Sequence, residues 1–237
     1  MELLRIEFLK LKRFNILLLA SITSLPSIIV GISLYNLMKN KLGTDLIMES
    51  IFGLSSSIYV GMLLNLLIIY LVCIITKIEN SNNGWRGLLI LPEKRWKIYI
   101  SKISVIFIAI GVSLISFLIF ILLITLIMGG NINLSILINL FLVFLLIIPV
   151  ATFLFVIARN FNTLIVPLVM GIFFLITGFF IAQSDYWVFV PWTYAIVGVS
   201  GVISNVQLLQ VISISIILSA FILVGDLIKF TYCDLSN

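Results

Sequence analysis

Residues 77–102 carry six of the fourteen Lys and Arg residues, namely Lys77, Arg86, Lys94, Arg95, Lys97 and Lys102. Glu79, Glu93, Trp85, Trp96 and Tyr99 are interleaved with them. This is where an otherwise apolar chain can meet a partner in water. The chain of 237 residues has no histidine, which removes the commonest metal ligand and general base. Its two cysteines, Cys73 and Cys233, give neither a disulfide framework nor a metal-ligand spacing. No Gly-x-x-x-x-Gly-Lys-Ser/Thr phosphate loop, no Gly-x-Ser-x-Gly elbow and no His-Glu-x-x-His occurs. The sequence predicts no catalytic residue, no metal and no cofactor bound by this chain.

The elements that must position this polar stretch are apolar. Hydrophobic residues make up 62% of the chain and charged ones 10%, and the mean hydropathy is +1.33. Soluble domains are about 45–50% apolar and about 25% charged, so the solvent of this chain is a bilayer. Runs of about 20 apolar residues span its hydrocarbon. The sequence predicts an all-α integral membrane protein, a single transmembrane domain over 1–237, with six spans at about 14–36, 51–76, 103–128, 134–158, 164–183 and 206–228. Pro26, Gly31 and Pro149 are candidate bends. Ser55, Ser56, Ser57 and Gly61 give the second span a small-residue face suited to close packing. The stretch 37–50 is expected as a short polar loop, and Gly129-Gly130-Asn131 as a turn.

Residues 1–13 place Leu4, Phe8 and Leu11 on one helical face, while Glu2/Arg5 and Glu7/Lys10 stand three apart. With Arg5, Lys10, Lys12 and Arg13 this reads as a basic amphipathic helix lying on the membrane surface. No signal-peptide pattern is evident, so the first apolar run is expected to be retained; the terminal Cys233-Asp-Leu-Ser-Asn is not a prenylation box. Residues 184–205, with Trp187, Pro191, Trp192 and Tyr194, interrupt the apolar pattern and fit an aromatic belt or short re-entrant helices on the outer side. If the N-terminus is inside, twelve of the fourteen basic residues are inside with it, and Lys39 and Lys41 remain outside. That asymmetry predicts an N-in, C-in layout. The basic balance is therefore topological and calls for no nucleic acid.

The centres of all six runs lack Asp, Glu, Lys and Arg. A proton-coupled transporter would place an ionisable residue there, so a secondary transporter is disfavoured. Asp226 and Asp185 sit at span ends, and Asp226 reads as an interfacial residue. Asn65 and Asn139 fall inside spans and read as bridges between helices. Asn133-Leu-Ser135 matches the glycosylation triplet, a short pattern common by chance. The long loop itself fits either a basic surface resting on anionic lipid or a docking surface for a soluble partner.

The order Glu79, Gly84-Trp85-Arg86, Leu88-Leu89, Pro92, Arg95 and Lys102 resembles the first cytoplasmic loop of ABC-2 type transporter permeases. The resemblance extends in layout to the amphipathic N-terminal helix, the six-span N-in arrangement and the broken segment between spans five and six. Within that family, the short length, the opening residues 1–13 and the stretch from Trp187 to Tyr194 are most similar to bacterial permeases of lantibiotic-immunity and bacitracin-resistance systems.

What the resemblance implies is a membrane-spanning subunit of an ATP-binding cassette exporter in the bacterial plasma membrane, expelling an antimicrobial peptide or similar amphipathic compound. Its partners would be two cytoplasmic ABC ATPase subunits, which hold the ATP and Mg, and a second copy or a different six-span permease. The segment from Glu79 to Arg86 would be the coupling helix. Arg86 and Arg95 suit bidentate pairing with carboxylates, Trp85 suits an apolar pocket of the partner, and Pro92 would stop the helix. The alternatives are an exporter of another lipophilic substrate and a non-transporting anchor or sensor that recruits an ATPase through the same loop.

Overall fold

The computed structural model describes residues 2–12, 15–42, 47–80, 94–161, 163–200 and 205–232. Every regular element among them is helical, as apolar runs in lipid require, because a helix satisfies its own backbone. Helix α1 is Glu2–Lys12. The first apolar run is split into α2, Ile16–Ile22, and α3, Leu25–Leu42. The second comprises α4, Ile47–Ile58, a π turn, Tyr59–Leu63, and α5, Leu64–Asn80. Then follow α6, Arg95–Ile127, α7, Ser135–Asn160, and α8, Ile165–Ile181. Two 3-10 turns, Asp185–Phe189 and Pro191–Thr193, lead to short α9, Tyr194–Val199, and α10 runs from Asn205 to Tyr232.

Among the described residues five stretches are long and apolar enough to cross a membrane: Ile16–Met38, Ile47–Glu79, Arg95–Ile127, Ser135–Asn160 and Val206–Thr231. The helix at the expected fifth span has only 17 residues, about 25 Å at 1.5 Å per residue. Helix also covers more of the polar stretches than expected. It reaches Leu42 and restarts at Ile47 in the predicted loop 37–50, and it occupies 77–80 and 95–102 of the predicted loop 77–102. The second difference has a clear cause, since the Glu79 and Lys102 side chains pair with each other (Nζ to Oε1 2.5 Å).

Each irregular point in the spans is matched by a polar side chain. The first run breaks at Thr23 and Ser24, just before Pro26. There the hydroxyls of Ser21, Thr23, Ser24 and Ser27 donate to the carbonyls of Leu18, Ala20, Ser21 and Ser24. In the second span the π turn frees carbonyls, and Asn65 Nδ2 donates to those of Val60 (3.0 Å) and Gly61 (3.4 Å). Asn65 therefore serves its own helix instead of bridging to another, and Asn139 is exposed on α7. Pro149 lies inside α7 and has no N–H for the carbonyl of Leu145, four residues back. Ser215 of α10 supplies the missing donor, its Oγ 2.9 Å from Leu145 O.

Close packing follows the small residues. A Cβ added to Gly31 would lie 2.7 Å from Ser55 Cβ, so α3 and α4 touch through the small-residue face seen in the sequence. The turn after α6 ends in a left-handed glycine, Gly129 at φ 73. Its N–H bonds to Leu126 O and that of Gly130 to Thr125 O, the Schellman arrangement. At this end Asn133 Nδ2 donates to Glu49 Oε1 (2.6 Å), and Asn133 Oδ1 accepts from Ser135 N–H as α7 begins.

The Pro149–Ser215 pairing makes a measurable prediction. Ser215→Ala should cost about 1–2 kcal/mol of unfolding free energy, within the range of buried and intramembrane hydrogen bonds. In a Pro149→Ala background, where the backbone N–H is restored, the same change should cost clearly less. Equal costs in the two backgrounds, read from denaturant titration in micelles, would remove the link.

Candidate functional site

Apart from Glu49 and Asp185, the described charged side chains gather at one end of the bundle, where α1, the end of α5, the start of α6, the end of α7 and the end of α10 meet. Two clusters form there. In the first, Lys102 of α6 has a wholly buried side chain. Its ammonium donates to Glu7 Oε1 of α1 at 3.0 Å and to Glu79 Oε1 of α5 at 2.5 Å. Lys10 of α1 reaches the same two carboxylates at 3.4 and 3.3 Å. Two formal positive and two formal negative charges are thereby interleaved. Glu7 and Glu79 are 6% and 2% exposed, so this is not a surface pair with small net effect.

The second cluster is built around Asp226 of α10. Arg159, from the last turn of α7, binds it with two nitrogens, Nη2 to Oδ1 and Nε to Oδ2 (2.6 Å for the latter). Tyr99 of α6 donates to Asp226 Oδ2 at 3.0 Å, and Asn160 Nδ2 to Oδ1 at 3.1 Å. Lys229 donates to Asn160 Oδ1 at 2.6 Å. The Arg159 guanidinium also lies 5.3 Å from the centre of the Phe230 ring, within cation–π range. Asp226 is thus not an interfacial end residue in water. It is buried and fully engaged, the partner that lets α7 and α10 close together. Arg95 Nη1 adds a bond to Thr231 O (3.1 Å) in the last turn of α10, where a cation meets the negative end of the helix dipole.

The structure brings together Glu79, Lys10 and Glu7 in one cluster and sets Arg95 against α10. Gly84, Trp85, Arg86, Leu88, Leu89, Pro92 and Arg13 lie outside the described residues, as do the side chains of Arg5 and Lys12. Glu79, at the end of α5, and Lys102, near the start of α6, are thus tied to each other and to α1. Lys102 and Glu7 were not foreseen as partners. The available signal was charge balance, since a lysine entering a long uncharged run needs carboxylates beside it.

At the opposite end, the aromatic stretch folds on itself and on α8. Trp192 stacks on Phe174 (centroids 4.5 Å, planes 14° apart), and its Nε1 donates to Thr177 Oγ1 at 3.1 Å. Tyr194 donates to Val188 O at 2.7 Å, and Thr193 to Trp187 O at 2.9 Å. Trp187 meets Tyr194 edge-on at 6.5 Å, and Pro191 opens the second 3-10 turn. Burial pushes the Tyr194 phenol above its ordinary range, so it acts as a neutral donor. Tyr186 and Phe189 remain 72% and 81% exposed. Among the described residues no group of three or more metal-ligating side chains occurs.

Long apolar helices with charges confined to their ends define a multi-pass membrane protein. Residues 3–178 match the family model described as ABC-2 family transporter protein, and the chain belongs to that family. No curated protein and no solved structure gives a match beside it. The chain is accordingly a membrane permease subunit of an ABC transporter. Membership of the family implies association with an ABC ATPase.

Removal of the buried cation tests the first cluster. Lys102→Met leaves two carboxylates facing each other without it and should cost about 3–5 kcal/mol. Adding Glu7→Gln and Glu79→Gln should recover part of that loss. A triple variant no more stable than Lys102→Met alone would show that the carboxylates do not depend on Lys102.

Proposed function

We propose that this chain is the permease of an exporter that clears an amphipathic antimicrobial peptide, a lantibiotic or similar compound, from the bacterial plasma membrane. The observation that carries the reading is the clamp of Glu7, Lys10, Glu79 and Lys102 around the two stems of the segment between Asn80 and Lys94. In the layout we infer, six spans with both termini inside, that segment faces the cytoplasm and docks the ATPase. Arg86 and Trp85 make the outward contacts, with Gly84, Leu88, Leu89 and Pro92 shaping the docking helix. Glu79 contributes from within by fixing where that helix leaves the bundle, and Arg95 does so by gripping the end of α10.

Closure of two ATPase subunits on bound ATP and Mg would push on both copies of this segment in a pair of permeases, alike or different. The ion cluster then transmits the displacement to α1, which we place on the inner membrane surface with Arg5, Lys12 and Arg13 toward the lipid headgroups. The folded segment with Trp187, Pro191, Trp192 and Tyr194 closes the outer end. Two features favour a lipid-embedded substrate. The span centres carry no charge, and the hydroxyls in mid-bundle bond to each other and to their own helices, as in Tyr59 to Ser113 (2.7 Å) and Thr23 to Ser113 (3.0 Å). A charged, water-soluble cargo would find no partner along them.

The experiment is co-expression with a cognate ABC ATPase subunit, with peptide survival and ATPase co-purification as readouts. Arg86→Ala should lower ATPase recovery and survival together by about tenfold or more, the loss of one buried bidentate charge contact. Glu79→Gln should lower survival more than recovery, because it loosens the stem and leaves the docking face intact. An ATPase that cannot hydrolyse ATP should abolish protection; full protection with it would instead establish the anchor or sensor reading.

A further inference from the structure

The first two spans are each divided at one common level. The first breaks at Thr23–Ser24, between α2 and α3, and the second at the π turn Tyr59–Leu63, between α4 and α5. A single oxygen marks that level. Ser113 Oγ of α6 lies 3.0 Å from Thr23 Oγ1 and 2.7 Å from Tyr59 OH. On the side of the ion clusters, α5 is fixed to α6 through Glu79 and Lys102. On the other side α3 and α4 run on as a pair. A Cβ on Gly31 would lie 2.7 Å from Ser55 Cβ, so the two helices are held as one body.

Both breaks have the chemistry of hinges. Pro26, just past the first, has no N–H for the carbonyl of Ile22, and the hydroxyls of Thr23 and Ser24 donate to the carbonyls of Ala20 and Ser21. At the second, Asn65 Nδ2 donates to the carbonyls of Val60 and Gly61. Side chains of the same segment make these bonds and can follow a change of angle. A few residues at the ends of elements are what absorbs domain movement, and π turns recur at functional sites.

The far end of the pair closes on α6 through a small cluster of its own. Tyr35, Ile47 and Ile51 are buried there, with Leu54, Ile124 and Met128 packed against them. Asn133 adds a clasp, its Nδ2 donating to Glu49 and its N–H meeting Met48 Sδ at 3.2 Å. Tyr35 has no exposed surface, yet among the described residues its hydroxyl meets no hydrogen-bond partner. A buried hydroxyl left unpaired counts against the state that buries it. Parting the pair from α6 lifts that penalty and exposes apolar side chains instead. Hydrocarbon contact holds the closed position, and one polar atom opposes it.

We propose that α3 and α4 form a flap that swings from the end of α6 about a paired hinge at Thr23–Ser24 and Tyr59–Leu63, with the unpaired Tyr35 hydroxyl keeping its closed position shallow. The swing opens the bundle at the end away from the ion clusters. The device belongs to the chain itself and needs neither cargo nor ATPase.

The test is pulsed electron–electron distance measurement on the purified full chain in nanodiscs, with Cys73 and Cys233 replaced by alanine. One pair of spin labels spans the gap, at Leu37→Cys of α3 and Ile127→Cys at the end of α6, both 83% exposed. A second pair lies inside the flap, at Leu37→Cys and Gly53→Cys, where an added Cβ meets nothing within 4 Å. The first pair should show a shorter and a longer distance, and the second pair a single one. Tyr35→Phe keeps the ring and removes the hydroxyl. It should lower the longer-to-shorter ratio about tenfold, the weight of one unpaired buried hydroxyl. A single distance across the gap without that substitution overturns the proposal, as does a second distance inside the flap. A ratio that Tyr35→Phe leaves unchanged overturns it too, and a raised ratio overturns it by marking a hydroxyl satisfied through water in the closed position.

Discussion

One buried ammonium sets the architecture of the polar end. The Lys102 side chain has no exposure, and an unpaired charge in such a place costs several kcal/mol even after relaxation. The chain must therefore carry carboxylates to it, and it does so from two directions. Glu79 arrives because α5 continues as helix past the apolar run, and Glu7 because α1 folds back against α6. Lys10 then occupies the remaining reach of both carboxylates. The placement of α1, the length of α5 and the early start of α6 are one solution to one electrostatic requirement. The buried polar cluster also selects a single register for these helices, which a purely apolar contact would leave freer to slide.

In the interior the governing requirement is different: a backbone without water must find its partners within the protein. Three departures from regular helix occur in the spans, at Thr23–Ser24, at Tyr59–Leu63 and at Pro149. Each is met by a hydroxyl or amide of nearby sequence or of the neighbouring helix. The first two face the same part of α6. Tyr59 donates to or accepts from Ser113, which also bonds Thr23, and the Tyr59 ring stacks on Phe117 at 4.3 Å with planes 6° apart. The irregular helices thus lean on a regular one. Helix α6 runs unbroken for 33 residues with no proline, and its hydroxyls at Ser113 and Ser116 hold the break in the first span through Thr23 and Ser24.

Much of this was legible because it depends on composition over long windows. Apolar run length located the helices, and the small-residue face with Ser55 marked a close crossing, although Gly31, which meets it, was read only as a bend. Gly129-Gly130 marked a turn whose left-handed residue only glycine takes easily. What stayed hidden depends on pairs far apart in sequence. Asp226 read as an interfacial residue, because nothing local says that α7 and α10 end side by side and bring Arg159 to it. Glu79 read as a contact for a partner, whereas its carboxylate points inward, and only the three-dimensional meeting of residues 7, 79 and 102 reveals why. Asn65 read as a bridge between helices because a π turn leaves no signature in hydrophobic periodicity. The 17-residue length of α8 was likewise masked by the apolar residues at its ends, which continue the run after the helix has stopped.

The two ion clusters are not independent, because α6 belongs to both. Tyr99 enters the Asp226 cluster and Lys102 the Glu7–Glu79 cluster, and residues three apart share adjacent faces of one helix. Four residues before Tyr99, Arg95 holds the last turn of α10. Helix α6 is therefore bonded at once to α1, α5 and α10, and through Asp226 it is linked to Arg159 of α7. No proline breaks its ladder, so it has no kink of that origin. Its far end is equally constrained, for a Cβ on Gly130 would lie 3.0 Å from Ile47 Cβ and from Thr125 Cγ2. That tight contact lies where α4 begins, about 50 Å along α6 from the charged end. The irregular points at Thr23–Ser24 and Tyr59–Leu63 both rest on the middle of α6, so one unbroken helix carries the contacts of both ends and of both breaks.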